Sequence, residues 1–175
     1  PEAEAELHFL LLDSGAVRLG EISLKRSGAA TEYIANGGFE ANTAPWRLLG
    51  THVGSARIDS DAHAGNACLE VRATGPGDNN VNKIETDTSQ VMATGSYVVS
   101  FWARWVRGAN KLLVRADSMT GASLSRAVEI PIPRGLGTPG RENGVRSILK
   151  EANPSGNLGP VLGNVSQDPV SPSAN

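Results

Sequence analysis

The sequence predicts an all-β protein, and three observations carry that prediction. Apolar residues recur mostly with a period of two, in short runs rich in Val, Ile, Leu and Thr. Clusters of Gly, Asn, Asp and Ser separate those runs at intervals of about ten residues. The one helix-like stretch, Arg141 to Glu151, is short and poorly amphipathic, and Pro154 closes it. Candidate strands run in order over Leu7 to Leu12, Ala16 to Leu24, Trp46 to Leu49, Ser55 to Asp59 and Ala67 to Ala73, then Asn82 to Val91, Ser96 to Arg107, Lys111 to Asp117 and Leu124 to Ile130. Asp13-Ser14-Gly15 reads as the tight turn of a hairpin joining the first two. The clearest strand sorts its own side chains. Successive residues point to opposite faces, so Tyr97, Val99, Phe101, Ala103 and Trp105 share the core side, while Val98, Ser100, Trp102 and Arg104 share the other.

Composition excludes several classes. A single Cys rules out a disulfide scaffold. No stretch approaches the roughly 20 consecutive apolar residues of a membrane-spanning helix. The longest apolar run, Phe9 to Leu12, stops at Asp13. Charge is nearly balanced, 16 Lys and Arg against 18 Asp and Glu, with neither sign clustered, so neither nucleic acid nor an anionic membrane is an expected partner. All eight aromatics lie between Phe9 and Trp105. Residues 131–175 hold seven Gly, seven Pro and no aromatic, a composition that cannot offset the entropy of ordering itself, and read as a connector or extended arm. The expected division is therefore 1–33, a hairpin and linker; 34–130, a sandwich; and 131–175, the arm. With no leader after Pro1, any targeting signal is expected to have been removed or to lie upstream in a longer precursor.

Four segments occur in an order that resembles a known family: Asn36-Gly37-Gly38-Phe39-Glu40, Pro45-Trp46, Ala62-His63-Ala64-Gly65-Asn66-Ala67-Cys68-Leu69-Glu70-Val71 and Gly95-Ser96-Tyr97-Val98-Val99-Ser100-Phe101-Trp102-Ala103-Arg104. Residues 34 to about 130 resemble a carbohydrate-binding module of the family 4 and 9 type. The resemblance implies a jelly-roll β-sandwich with a galactose-binding-domain-like fold, and non-catalytic binding of a polysaccharide or other glycan outside the cell or at its surface. Fold alone does not fix the ligand. The segment resembling the family's closing strand, Val17 to Leu24, precedes the opening motif instead of ending the module. Either the chain spans the end of one module and the body of the next, or residues 7–24 complete a sandwich that lacks its last two strands. That sandwich is its own or a neighbour's. The second case is strand donation, which would join subunits head to tail into a filament.

A catalytic reading finds little to use, and the expectation is no enzyme. His8, His52 and His63 have no metal-type spacing, Cys68 reads as a small buried hydrophobe, and Ser14-Gly15, Ser27-Gly28 and Ser155-Gly156 lack the preceding Gly-x of a nucleophile elbow. The resemblance implies a structural Ca²⁺, with Glu40 carried over from the opening motif, Asp61 or loop carbonyls from residues 59–65, and Glu21 from the closing strand. The alternative makes Glu40 and Glu21 solvated strand-end charges. Sugar binding needs aromatic faces beside planar polar groups, for which Trp102 with Arg104, Trp46, and Asn79, Asn80 and Asn82 are the candidates. Core burial of Trp46 and Trp105 is the alternative reading, and the low aromatic content favours a structural role.

Overall fold

A computed structural model describes residues 5–78, 80–93, 95–117 and 123–132. It contains nine strands and a single 3-10 turn: β1 Glu6–Leu11, β2 Gly15–Arg26, β3 Arg47–Leu48, the turn Gly50–His52, β4 Ala56–Ile58, β5 Cys68–Ala73, β6 Ile84–Asp87, β7 Tyr97–Gly108, β8 Lys111–Asp117 and β9 Ser123–Glu129. The strands form two antiparallel sheets, a five-stranded one in the order β3-β6-β1-β8-β9 and a four-stranded one in the order β4-β5-β2-β7. They pack face to face as a jelly-roll sandwich. Each candidate strand of the sequence corresponds to one observed strand. The helix-like stretch and the arm beyond residue 132 lie outside the described residues.

Alternation decides which faces meet. Leu7, Phe9 and Leu11 of β1 point into the same core as Val17, Leu19, Ile22 and Leu24 of β2 and Val99, Phe101 and Ala103 of β7. Phe9 meets Phe101 edge to face at 5.2 Å between ring centres and lies 6.0 Å from Trp46, so aromatic packing links the two sheets across the middle of the core. Leu19 and Ile22 are three apart, yet both point inward. A β-bulge between Gly20 and Ser23 reconciles this: two residues, Glu21 and Ile22, intervene on β2 where only Phe101 intervenes on β7, and Glu21 takes a left-handed φ of 50°.

The expectation for the first two strands needs correction. β1 and β2 do not form a hairpin, because they do not pair with each other. β1 lies between β6 and β8, and β2 between β5 and β7. The turn at Asp13 and Ser14 is a corner that carries the chain from one sheet to the other. It packs on the equivalent corner between β7 and β8, where the Ala109 N–H donates to the Ser14 carbonyl at 2.9 Å. A turn signal says that the chain reverses; it does not say that the flanking strands share a sheet. The two strands that resemble the end of the family module thus fill the middle of both sheets of this chain's own sandwich.

Candidate functional site

The opening motif works as a clamp. Asn36 Nδ2 donates to the carbonyls of Asn42 and Ala44, both at 2.8 Å, which closes the loop that follows. Gly37 lies so close to the β2 bulge that a Cβ there would stand 1.8 Å from the Ile22 carbonyl oxygen, and its own carbonyl accepts the Ile22 N–H at 3.0 Å. Phe39 is fully buried beside Trp46. Both carboxylate oxygens of Glu40 accept the Asn66 N–H at 3.1 Å. Gly65, at φ 74°, leaves room for that carboxylate, since a Cβ would sit 1.9 Å from Glu40 Oε1. Glu40 therefore roots the loop 59–66.

That loop roofs the outer face of the four-stranded sheet. Half-exposed Trp102 stands on β7, the edge strand, opposite Gly20. The His63 imidazole lies nearly parallel to its indole, 3.5 Å away with 12° between the planes, and Nδ1 of His63 meets Glu21 Oε2 at 2.6 Å. Arg18 and Arg104 face each other across β2 and β7, and Asp61 sits between them, bonded to Arg18 and 3.3 Å from Arg104 Nη1. The Arg18 bond holds the Asp61 carboxyl below the usual carboxylate range. Glu70 continues the row, taking Arg18 Nε at 3.1 Å and Arg72 Nε at 2.7 Å. Burial works to raise its pKa, but the two guanidiniums outweigh burial and lower it. Cys68 is buried beneath the loop, where burial pushes its thiol up and away from the reactive thiolate.

Of the expected calcium ligands, Glu40 holds Asn66, Glu21 holds His63 and Asp61 lies between two guanidiniums, and among the described residues these three are not a group whose donor atoms lie within 4.8 Å of one another. The expected sugar set also divides. Trp46, 4 % exposed, is packed between Phe9 and Phe39 in the core and has no ring face to offer. Asn79 lies outside the described residues. The N–H groups of Asn80 and Asn82 both go to Asp78 Oδ1, and Asn82 Oδ1 accepts the Thr51 N–H at 2.9 Å, so both brace the turn leading into β6. Trp102 and Arg104 are neighbours as expected, but on the roofed face.

The outer face of the five-stranded sheet carries a second polar strip that sequence reading did not assemble. His8 of β1 lies opposite Glu85 of β6 and Arg115 of β8, and Arg47 of β3 lies opposite Glu85. Glu6, Lys83, Asp87 and Asp117 complete the strip. Arg47 is its hub: Nε bonds Glu85 Oε1 at 2.8 Å, Nη1 and Nη2 take Asp87 at 2.6 and 2.8 Å, and Nη2 reaches Glu6 Oε1 at 3.3 Å. Its bond to Asp87 raises the Arg47 pKa further and holds the Asp87 carboxyl low. Burial works to raise the pKa of Glu85, but Lys83 and Arg47 outweigh it and keep the carboxyl ionised below its ordinary range. His8 is 1 % exposed and Glu85 6 %; Glu85 Oε2 is met by the Lys83 ammonium at 2.6 Å, whereas His8 Nδ1 has no hydrogen-bond partner. The alternation Glu6-Leu7-His8-Phe9 and Lys83-Ile84-Glu85-Thr86-Asp87 was the available signal; their pairing across more than 70 residues was not.

Behind this face, buried His52 supports β1. Its Nε2 accepts the Leu11 N–H at 2.9 Å, which assigns the ring proton to Nδ1, 3.0 Å from Thr51 Oγ1. Burial lowers its pKa to about 4, against the opposing pull of Asp78.

A two-sheet sandwich that presents a strip of hydrogen-bonding side chains on an outer face belongs to the class of β-sandwich binding modules. A family profile described as a carbohydrate binding domain, of the family 4 and 9 type, matches residues 31–121, more than half of the chain, and the chain belongs to that family. The match spans β3 to β8, and β1 and β2 precede it. No curated protein and no solved structure matches the chain.

Proposed function

We propose that the chain is a non-catalytic glycan-binding module of a secreted or cell-surface protein, and that the glycan lies on the outer face of the five-stranded sheet. The observation that carries this reading is His8 Nδ1, a buried ring nitrogen without a hydrogen-bond partner, in a strip of otherwise paired side chains. Buried polar groups are normally satisfied, and sugar hydroxyls, which donate and accept, suit such a vacancy. Among the described residues of this face there is no Phe, Tyr or Trp, so recognition is by hydrogen bonds from Arg47, Glu6, His8, Arg115 and Asp117 rather than by stacking. Glu85, whose pKa is lowered, does not suit the general-acid role of a glycosidase, which needs a raised one. Strand donation loses its motive, since both strands to be lent are central in their own sandwich.

A second reading places the sugar on Trp102, favoured by the His63 ring lying where a pyranose would stack. Affinity electrophoresis through soluble xylan, β-glucan, mannan and galactan separates the two. Retardation of the parent on at least one polysaccharide, lost in Arg47→Ala and kept in Trp102→Ala, supports the five-stranded face. The reverse pattern moves the site to Trp102. No retardation of the parent on any glycan overturns both.

A further inference from the structure

The same strip holds an arrangement whose chemistry goes beyond glycan recognition. We propose that Glu6, His8 and Glu85 form a binding site for a divalent transition-metal ion of the zinc class.

Strand register creates the cluster. Glu6 and His8 are two apart on β1 and therefore share a face, and His8 lies directly opposite Glu85 on β6. One donor atom from each falls within 4.8 Å of the others. His8 Nε2 is 2.9 Å from Glu6 Oε2 and 3.4 Å from Glu85 Oε2, the spacing of neighbouring ligands around a small cation.

The groups around the cluster aim it. Arg47 grips the far oxygen of each carboxylate, Oε1 of Glu6 and Oε1 of Glu85, which turns both Oε2 atoms toward His8. On the other side of the imidazole, Asp117 Oδ2 lies 3.7 Å from Nδ1, and Arg115 holds the second Asp117 oxygen at 2.7 Å. That carboxylate stands about 1 Å beyond the outer-shell hydrogen bond of metal-binding histidines, and a metal at Nε2 would replace the proton that Nε2 now directs at Glu6 Oε2. Glu85 Oε2 is buried and aimed into the cluster, where its closest cationic partner is the Lys83 ammonium at 2.6 Å.

The donor set selects the metal. One imidazole nitrogen with two carboxylate oxygens suits Zn²⁺ and its neighbours, whereas Ca²⁺ and Mg²⁺ favour oxygen alone. The two negative charges match a divalent ion. A competitor is built in: Lys83 Nζ stands 2.6 Å from Glu85 Oε2, in ionic contact but without hydrogen-bond alignment, and 3.4 Å from His8 Nε2. The ammonium provides the positive charge that a metal would bring, so a metal binds by displacing it, and the flexible four-carbon stem of lysine allows that exit.

The test is titration of the full chain, without glycan, with Zn²⁺ by calorimetry and with Co²⁺ by visible absorption. One equivalent of metal and Co²⁺ bands in the visible are expected. Lys83→Met should tighten binding by about tenfold or more, while His8→Gln and Glu85→Gln should each weaken it by about 10- to 100-fold. His63→Ala, on the opposite face, should change nothing. Circular dichroism of each variant separates lost ligands from lost fold. The proposal fails if neither the parent nor Lys83→Met gives heat or a Co²⁺ spectrum, or if His63→Ala abolishes binding that His8→Gln and Glu85→Gln leave intact. Because no sugar is present, failure here leaves the glycan reading standing, and failure of glycan binding leaves this one standing.

Discussion

The two outer faces of the sandwich are built from similar materials to different ends. Each has a charged row at its centre, and adjacent strands supply the middle of each: β1 gives Glu6 and His8 to one, β2 gives Arg18 and Glu21 to the other. On the four-stranded side the row closes on itself. Asp61 sits between two arginines, Glu70 takes two more guanidinium contacts, and His63 covers the exposed tryptophan. On the five-stranded side the hub arginine satisfies the rim, while the buried His8 Nδ1 at the centre remains unmet. The lesson is that charge on a sheet surface holds structure when its bonding capacity is consumed internally, and offers binding when directed capacity is left over.

The most drastic way to break this comparison is to remove residues 1–26. That deletion takes a central strand from each sheet at once, and the expected product is insoluble or unfolded by circular dichroism. A soluble, cooperatively melting remainder would mean that the faces do not depend on β1 and β2. Acid should act next, and on one side. Because the folded pKa of His52, about 4, is below its unfolded value, the folded state is fully favoured above about pH 6.5, and that stability is lost as pH falls toward 4. The full loss is about 3 kcal/mol. Urea melts from pH 7 to pH 4 should show this slope, flattened in His52→Gln, and exchange of the Leu11 amide should accelerate before that of β5 amides.

Lifting the roof sharpens the contrast further. Gly65→Val forces a β-branched residue into a left-handed φ against Glu40, at a cost of about 2 kcal/mol. It should also expose Trp102 to iodide quenching without altering glycan retardation. Asp61→Ala should do the same at about 0.5 kcal/mol, since Asp61 is largely exposed and such pairs are weak. The smallest effect expected is that of calcium: saturating Ca²⁺ should leave the Tm unchanged, whereas a rise abolished by Glu40→Ala would place a cation at the root of the roof.

Much of this fold is legible in the order of residues. Alternation locates all nine strands because burial of one face imposes a period of two, and Tyr97 to Trp105 sorts its sides almost without structural help. Which sheet a strand joins is another matter. Periodicity reports a face, never a neighbour, so Asp13-Ser14-Gly15 reads as a hairpin turn when it is a corner between sheets. The bulge left a trace in the three-residue step from Leu19 to Ile22. The adjacency of Trp102 and Arg104 follows from their strand, but the covering of one by His63 depends on a loop shaped by Gly65 and Glu40. Glu6, His8 and Glu85 escaped notice as a group because strand register alone unites them, and register over such separations is a property of the whole sheet.

The position of β1 and β2 also governs the order in which this molecule comes into being. They are made before every strand they pair with, so the most apolar stretch of the chain emerges early and waits. β2 must wait for β5 and then β7, and β1 for β6 and β8, roughly 50 to 110 residues later at about 5 to 20 residues per second. Contacts of such span make for slow folding and a window in which bare strands seek other partners. Production of this protein is therefore expected to be limited by that interval, and slower translation at low temperature should lengthen the wait even as it weakens the hydrophobic contacts that drive misassociation.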